Sequence, residues 1–249
     1  MKIIIAENYN HMSEISAGII AEVVLEKPDA VLGLATGSSP VGTYKKLIDY
    51  YNNGLISFSK VHTVNLDEYV GLDEQHDQSY HYFMNDNLFK YIDLPRANIN
   101  IPCGLGDDLE KNCRDYDAIL KKYPRDIQLL GIGANGHIGF NEPETPFGSR
   151  THIVKLTDKT ISDNARFFAD KSQVPQKAIT MGIKEICRAR KILLIANGAN
   201  KADAVYKMVC GGVEEDCPAS ILQLHNDVTL VVDKKAASKL DENMIAQAI

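Results

Sequence analysis

The 249 residues are 45% hydrophobic, 24% charged and 7% aromatic, a composition that supplies a full buried core and excludes intrinsic disorder, collagen and coiled coil. Lys and Arg total 27 against 33 Asp and Glu, a formal charge of −6, so there is no general electrostatic drive toward DNA, RNA or acidic lipid, although a local pocket can still hold a small anion. Five cysteines without C-x-x-C or zinc-finger spacing read as reduced thiols. The charge at Lys2 and Glu7 breaks any signal-peptide apolar region, and no apolar run approaches the roughly 18 residues of a membrane span, so a cytoplasmic protein is expected.

Short apolar runs bounded by turn residues alternate with amphipathic stretches along the chain. Residues 2–6 read as a strand, 12–27 as a helix, 30–35 as a strand, 41–51 as a helix and 61–66 as a strand. The pattern continues with helix 79–91, short strand 98–101, helix 108–123 and buried strand 127–132. Strands 177–181 and 191–196, helix 199–210 and strand 228–232 precede a helical tail. This βαβ alternation predicts a Rossmann-like α/β fold: an open, mostly parallel sheet with helices on both faces. No repeat or linker divides it, so one domain over 1–249 is expected. Residues 133–150 break the rhythm with Gly, Asn and Pro, and an active-site loop and lid are placed at about 133–175. Ligands in open parallel sheets sit beyond the carboxyl ends of strands, and three such ends carry chemistry.

The first is Thr36-Gly37-Ser38-Ser39-Pro40, after strand 30–35 and before a helix whose first turn suits Pro40. Gly37 permits close backbone approach, and hydroxyls and free N–H groups can face a phosphate or carboxylate; alternatively Ser38 or Ser39 merely caps the helix. Neither a Walker A pattern nor a G-x-S-x-G elbow is present. The second is Asn65-Leu66-Asp67-Glu68-Tyr69. Adjacent residues of an extended chain point to opposite sides, so only one acid can face a given pocket, and Asp67, nearer the strand, is the better general base. The bland alternative is two solvated acids, or one capping a helix. The third runs from Gly131 to Pro143 and opens as G-x-G-x-x-G, but a Pro-rich loop follows where a dinucleotide fold needs a helix. What remains presents Asn135, His137 and Glu142, a set able to polarise hydroxyls and move protons near neutral pH. No metal-ligand spacing occurs, and His76 and His81 read as surface residues. Arg166 and Lys201 are basic candidates for a phosphate; a cation at a helix start, as at Lys201, is unfavourable unless an anion is near.

Together, the segments 34–40, 65–72, 136–143 (Gly-His-Ile-Gly-Phe-Asn-Glu-Pro) and Ser149-Arg150-Thr151 resemble the isomerising glucosamine-6-phosphate deaminase family, over about residues 1–240. The resemblance implies a hydrolase and aldose–ketose isomerase that converts glucosamine 6-phosphate and water to fructose 6-phosphate and ammonium, with no cofactor and no metal. It implies Asp67 as the base at carbon 2, His137 as the group that assists ring opening, and Glu142 and Asn135 as the residues that tune it. Thr36, Gly37, Ser38, Arg166 and Lys201 look like the phosphate and substrate contacts, with Arg166 arriving from a lid.

Two departures stand out. Many family members carry Asp where Asn135 stands, and His152 and Val154 replace basic residues that bind an activator in allosteric hexameric members. A monomer without that activator site is therefore expected, with a small-molecule substrate and no nucleic-acid or membrane partner. Three rival readings are a sugar-phosphate lactonase on the same fold, a sugar-phosphate-binding regulator, and Schiff-base chemistry on Lys201.

Overall fold

The computed structural model describes residues 1–156 and 174–241. Seven parallel strands form the main sheet in the order β1 (Lys2–Ala6), β10 (Val228–Asp233), β9 (Lys191–Ala196), β6 (Ile127–Leu130), β2 (Val31–Leu34), β3 (His62–Asn65) and β5 (Ile99–Asn100). The central strands β2 and β6 are buried at every residue, as expected for a parallel sheet covered on both faces. The expected Rossmann-like class is thus present.

The helices follow from local signals. Asn8 caps α1 (Tyr9–Glu26) by accepting from the His11 N–H at 3.1 Å, and Pro28 follows its end. Asp108 caps α4 (Leu109–Lys122) in the same way, at 2.8 Å from the Lys111 N–H. The predicted helix at 79–91 is shorter: Ser79 caps α3 (Tyr80–Asn87), and a separate 3-10 turn covers Phe89–Tyr91. α1 packs on β1, β9, β10 and on α2 (Val41–Asn52), and the buried apolar residues of these elements belong to the main core.

A second sheet departs from the expectation of parallel strands. The chain leaves β3 at Leu66, runs straight into β4 (Asp67–Tyr69), and pairs antiparallel with β8 (Lys177–Thr180), which pairs in turn with β7 (His152–Lys155). Met181 N–H donates to the Leu66 carbonyl at 2.7 Å and ties the two sheets together. The short α5 (Ile183–Ile186) follows β8, and α6 (Ala202–Cys210) follows β9 through a 3-10 turn at Ala199–Lys201.

Strand order places the functional segments. After β2 the chain works outward through β3 to β5, then returns to the other side of β2 as β6 and continues to β9 and β10. The reversal lies between β2 and β6, the position where an open α/β sheet leaves a crevice at its carboxyl edge. The loops after β2 and β6 are those that carry Thr36–Ser38 and Asn135–Glu142. All five cysteines are free; burial pushes the thiols of Cys113 and Cys187 up to about 11, so neither is a ready nucleophile near neutral pH.

Candidate active site

Beyond β2, Gly37 has φ +93° and turns the chain sharply before α2. The N-cap of α2 is Pro40, with no side-chain cap hydrogen bond, so the serines do not serve as caps. Ser39 Oγ instead donates to Asn197 Oδ1 at 3.0 Å, joining the loop after β2 to the loop after β9. Two tyrosines hold the loop from behind. Tyr44 donates to the Ala35 carbonyl at 2.5 Å and accepts from its N–H. Tyr9 donates to the Ser38 carbonyl at 3.0 Å and accepts from Gly42 N–H at 2.8 Å. Thr36, Gly37 and Ser38 thus stand on a braced turn at a helix start, an arrangement suited to an anion. Lys201 is the N-cap residue of α6, at the end of β9's loop. Arg166 lies outside the described residues.

Asp67 opens β4 opposite Thr180 of β8 and is buried. Burial, reinforced by the neighbouring Glu68, pushes its carboxyl up to about 8. No hydrogen bond to its carboxylate exists among the described residues, so its oxygens are available to a proton donor. Glu68 turns the opposite way and is equally buried. Its carboxylate accepts from the N–H groups of Tyr69, Tyr80 and His81 at 2.8, 2.9 and 3.0 Å, and meets His81 Nδ1 at 2.9 Å. It fastens the start of α3, where orphan N–H groups and the helix dipole favour an anion. His81 is therefore a half-buried partner of Glu68 rather than a surface residue, whereas His76 is exposed.

The loop after β6 is pinned from both ends. Gly133 N–H donates to the His137 carbonyl at 2.9 Å, and a Cβ at Gly133 would fall 2.3 Å from the imidazole Cε1, so only glycine leaves room for that ring. Phe140 N–H donates to Thr180 Oγ1 at 3.1 Å, and the buried Asn141 amide donates to the carbonyls of Ile138 and Met181. Gly139 consequently lies against Asp67: a methyl there would stand 3.5 Å from Oδ2. His137 Nδ1 faces Glu142 Oε1 at 3.5 Å, longer than a formed hydrogen bond. The other Glu142 oxygen accepts from Asn135 Nδ2 at 2.6 Å, and Asn135 Oδ1 accepts the His137 N–H at 3.3 Å. Asn135, His137 and Glu142 form one cluster, and the same loop brings it beside Asp67.

A model of the family described as glucosamine-6-phosphate isomerases/6-phosphogluconolactonase matches residues 6–231. The chain belongs to this family. Within the glucosamine-6-phosphate isomerase/6-phosphogluconolactonase family, a glucosamine-6-phosphate deaminase of Clostridium novyi (strain NT) is 55% identical over 241 residues, covering 96% of this chain and all of that one. Another from Clostridium botulinum (strain Loch Maree / Type A3) is 52% identical over 242 residues, covering 97% and 99%. The fold of a monomeric glucosamine-6-phosphate deaminase of the NagB superfamily superposes with a TM-score of 0.93 at 50% identity, covering 96% and 99%. The 6-phosphogluconolactonase of Trypanosoma brucei shares the fold alone, with a TM-score of 0.78 at 18% identity over 96% and 98%.

Sequence reasoning missed the aromatic wall of this family site. Tyr69, Tyr80 and Phe140 cluster with ring centroids 4.8 to 6.2 Å apart. Burial pushes the Tyr69 phenol up to about 12 and holds the Tyr80 phenol well above its ordinary value, so both stay protonated. Tyr80 packs α3 against Tyr69 of β4, the strand carrying Asp67. Its only sequence signal was its place one residue after the Ser79 cap. Among the described residues no three His, Cys, Asp or Glu side chains group as metal ligands, and no helix is long and apolar enough to cross a membrane.

Proposed function

We propose that this chain carries out the isomerising deamination of glucosamine 6-phosphate, giving fructose 6-phosphate and ammonium. The observation that carries the assignment of its machinery is the buried Asp67 carboxylate, without a hydrogen bond among the described residues, held beside the His137–Glu142 cluster at the β2/β6 crevice. Thr36, Gly37 and Ser38 receive the phosphate, with Lys201 and Arg166 as its cations. His137 moves a proton from the anomeric hydroxyl to the ring oxygen, which opens the sugar to the aldehyde. Glu142 orients the imidazole through Nδ1 and stabilises the imidazolium that forms. Asp67 then takes the proton from carbon 2 while the carbonyl oxygen at carbon 1 gains one, giving the enolamine, and returns the proton to carbon 1 as the nitrogen gives up an N–H proton, which leaves an imine at carbon 2. Hydrolysis of the imine consumes one water and releases ammonia. An Asp held at about 8 is a stronger base than an ordinary carboxylate, and anchoring by the phosphate supplies the proximity that proton abstraction from carbon needs.

Asn135 carries no charge and reaches the imidazole only through Glu142 and the backbone. Glu142→Ala is therefore expected to lower kcat by roughly 100-fold and Asn135→Ala by no more than about tenfold. Steady-state kinetics returning the reverse order would remove Glu142 from its role.

The chain acts as a single domain, with an active-site loop from 133, and as a cytoplasmic monomer; most of the expected lid, residues 157–173, lies outside the described residues. Support for the monomer comes from the relative described as monomeric. The replacement of basic residues by His152 and Val154 supports the lack of activator control. Rates should follow a hyperbola in glucosamine 6-phosphate and stay unchanged when N-acetylglucosamine 6-phosphate is added; a sigmoid relieved by that compound would refute the reading. In the same assay 6-phosphogluconolactone should not be hydrolysed, and its turnover in place of the amino sugar would move the assignment to the lactonase branch of the family.

A further inference from the structure

At the opposite edge of the main sheet from the crevice, a cavity of about 510 Å³ is lined by Asp117, Lys121, Arg125, Arg150, Glu185 and Arg188 among others. Arg125 precedes β6 by two residues and Arg188 precedes β9 by three, which places both at the amino ends of strands whose carboxyl ends face the active site. Four cations meet two carboxylates here, and both carboxylates are already engaged. Arg188 Nη1 lies 2.9 Å from each Glu185 oxygen, and Asp117 Oδ1 accepts the Thr151 N–H at 3.2 Å.

Arg125 is left in an unusual position. Its side chain is only 3% exposed, Nη2 donates to the main-chain carbonyl of Glu185, and Nε is buried with no partner. No ion pair to it exists among the described residues. A guanidinium stays charged, and a buried charge without a counterion is costly. Lys121, Arg150 and Arg188 add three exposed cations around the same cavity. An excess of two positive charges, presented largely as planar guanidinium forks, matches the geometry of a dianionic phosphate.

We propose that this cavity is a second anion site that seats a dianionic phosphate-monoester group on Arg125, Arg150, Arg188 and Lys121. Its volume lies in the range of small-molecule sites, so the group can carry a small organic body. Binding there ties the end of α4 to the turn after α5, and none of the four residues belongs to the catalytic crevice.

The site is testable by titrating inorganic phosphate into isotopically labelled protein at constant ionic strength, with chloride as the control, while following the Arg125 Nε–H and the amides of 185–188 by NMR. These signals should move together and saturate with phosphate but not with chloride. In Lys121→Gln/Arg150→Gln, which removes two exposed cations without stripping Glu185 of its partner, phosphate should bind here about tenfold more weakly. The amides of Gly37 and Ser38 should still respond, and turnover should be unchanged. Arg125 signals that stay still, that follow chloride equally, or that respond to phosphate identically in the double variant would overturn the proposal.

Discussion

Asp67→Asn should abolish exchange of the carbon 2 proton of glucosamine 6-phosphate with deuterated solvent, lower kcat by roughly 1,000-fold, and leave sugar-phosphate binding in place. The amide keeps the shape of the side chain but cannot accept the proton. The wild-type pH profile follows from the same group. Because burial and Glu68 hold the carboxyl at about 8, the free enzyme carries the proton there at neutral pH, and only the ionised fraction works as a base. kcat/KM should therefore climb about tenfold per pH unit toward pH 8 and level above it. The stability consequence has a definite sign. An acid whose folded value lies above its unfolded one stabilises the fold while protonated, and that stabilisation is lost as pH rises from about 4 to 8. Asp67→Asn should accordingly melt higher than the parent above pH 8, with the gap closing toward pH 4. Proton exchange by NMR that persists in the variant would identify a different base.

The second large effect belongs to Glu68, which touches no substrate in this account. Its buried carboxylate accepts three backbone N–H groups and meets His81, so Glu68→Gln leaves several buried donors facing an amide that can satisfy only some of them. A loss of about 3 kcal/mol is expected, or roughly 10 °C in melting temperature for a chain of this size. The variant also removes the negative charge that helps to raise Asp67, so the acidic limb of kcat/KM should move to lower pH. A purely structural role for Glu68 would lower stability without moving that limb. Thermal unfolding and a pH–rate series on one preparation separate the two.

The main sheet and two of the three chemical segments were legible because local rules governed them. The apolar runs of β2, β6 and β9 are short and bounded by turn residues, and in the fold they are central and almost wholly buried. Thr36–Ser38 announced itself as a helix start, and the Gly-rich stretch from 133 could be neither helix nor strand. What stayed hidden depended on distant partners. Asp67–Tyr69 is a three-residue strand whose partner, β8, comes more than a hundred residues later, and no periodicity is measurable over three residues. Hence the sequence alone puts Asp67 after the strand rather than in a second one, and does not distinguish Glu68 from a solvated acid. Tyr80 was invisible for the same reason: it sits in an amphipathic helix and gains its role only when α3 folds against β4. The cation cavity combines residues from α4 and the turn after it, the segment before β7, and α5 with the turn that follows, which no single motif unites.

The most direct test is to incubate the purified protein with glucosamine 6-phosphate and a chelator, with no added metal or cofactor, and to assay ammonium and fructose 6-phosphate in parallel. The account predicts both products in a ratio of one to one. If the sugar phosphate binds while neither product forms, the anion loop stands, but the proton-transfer roles of Asp67 and His137 are contradicted.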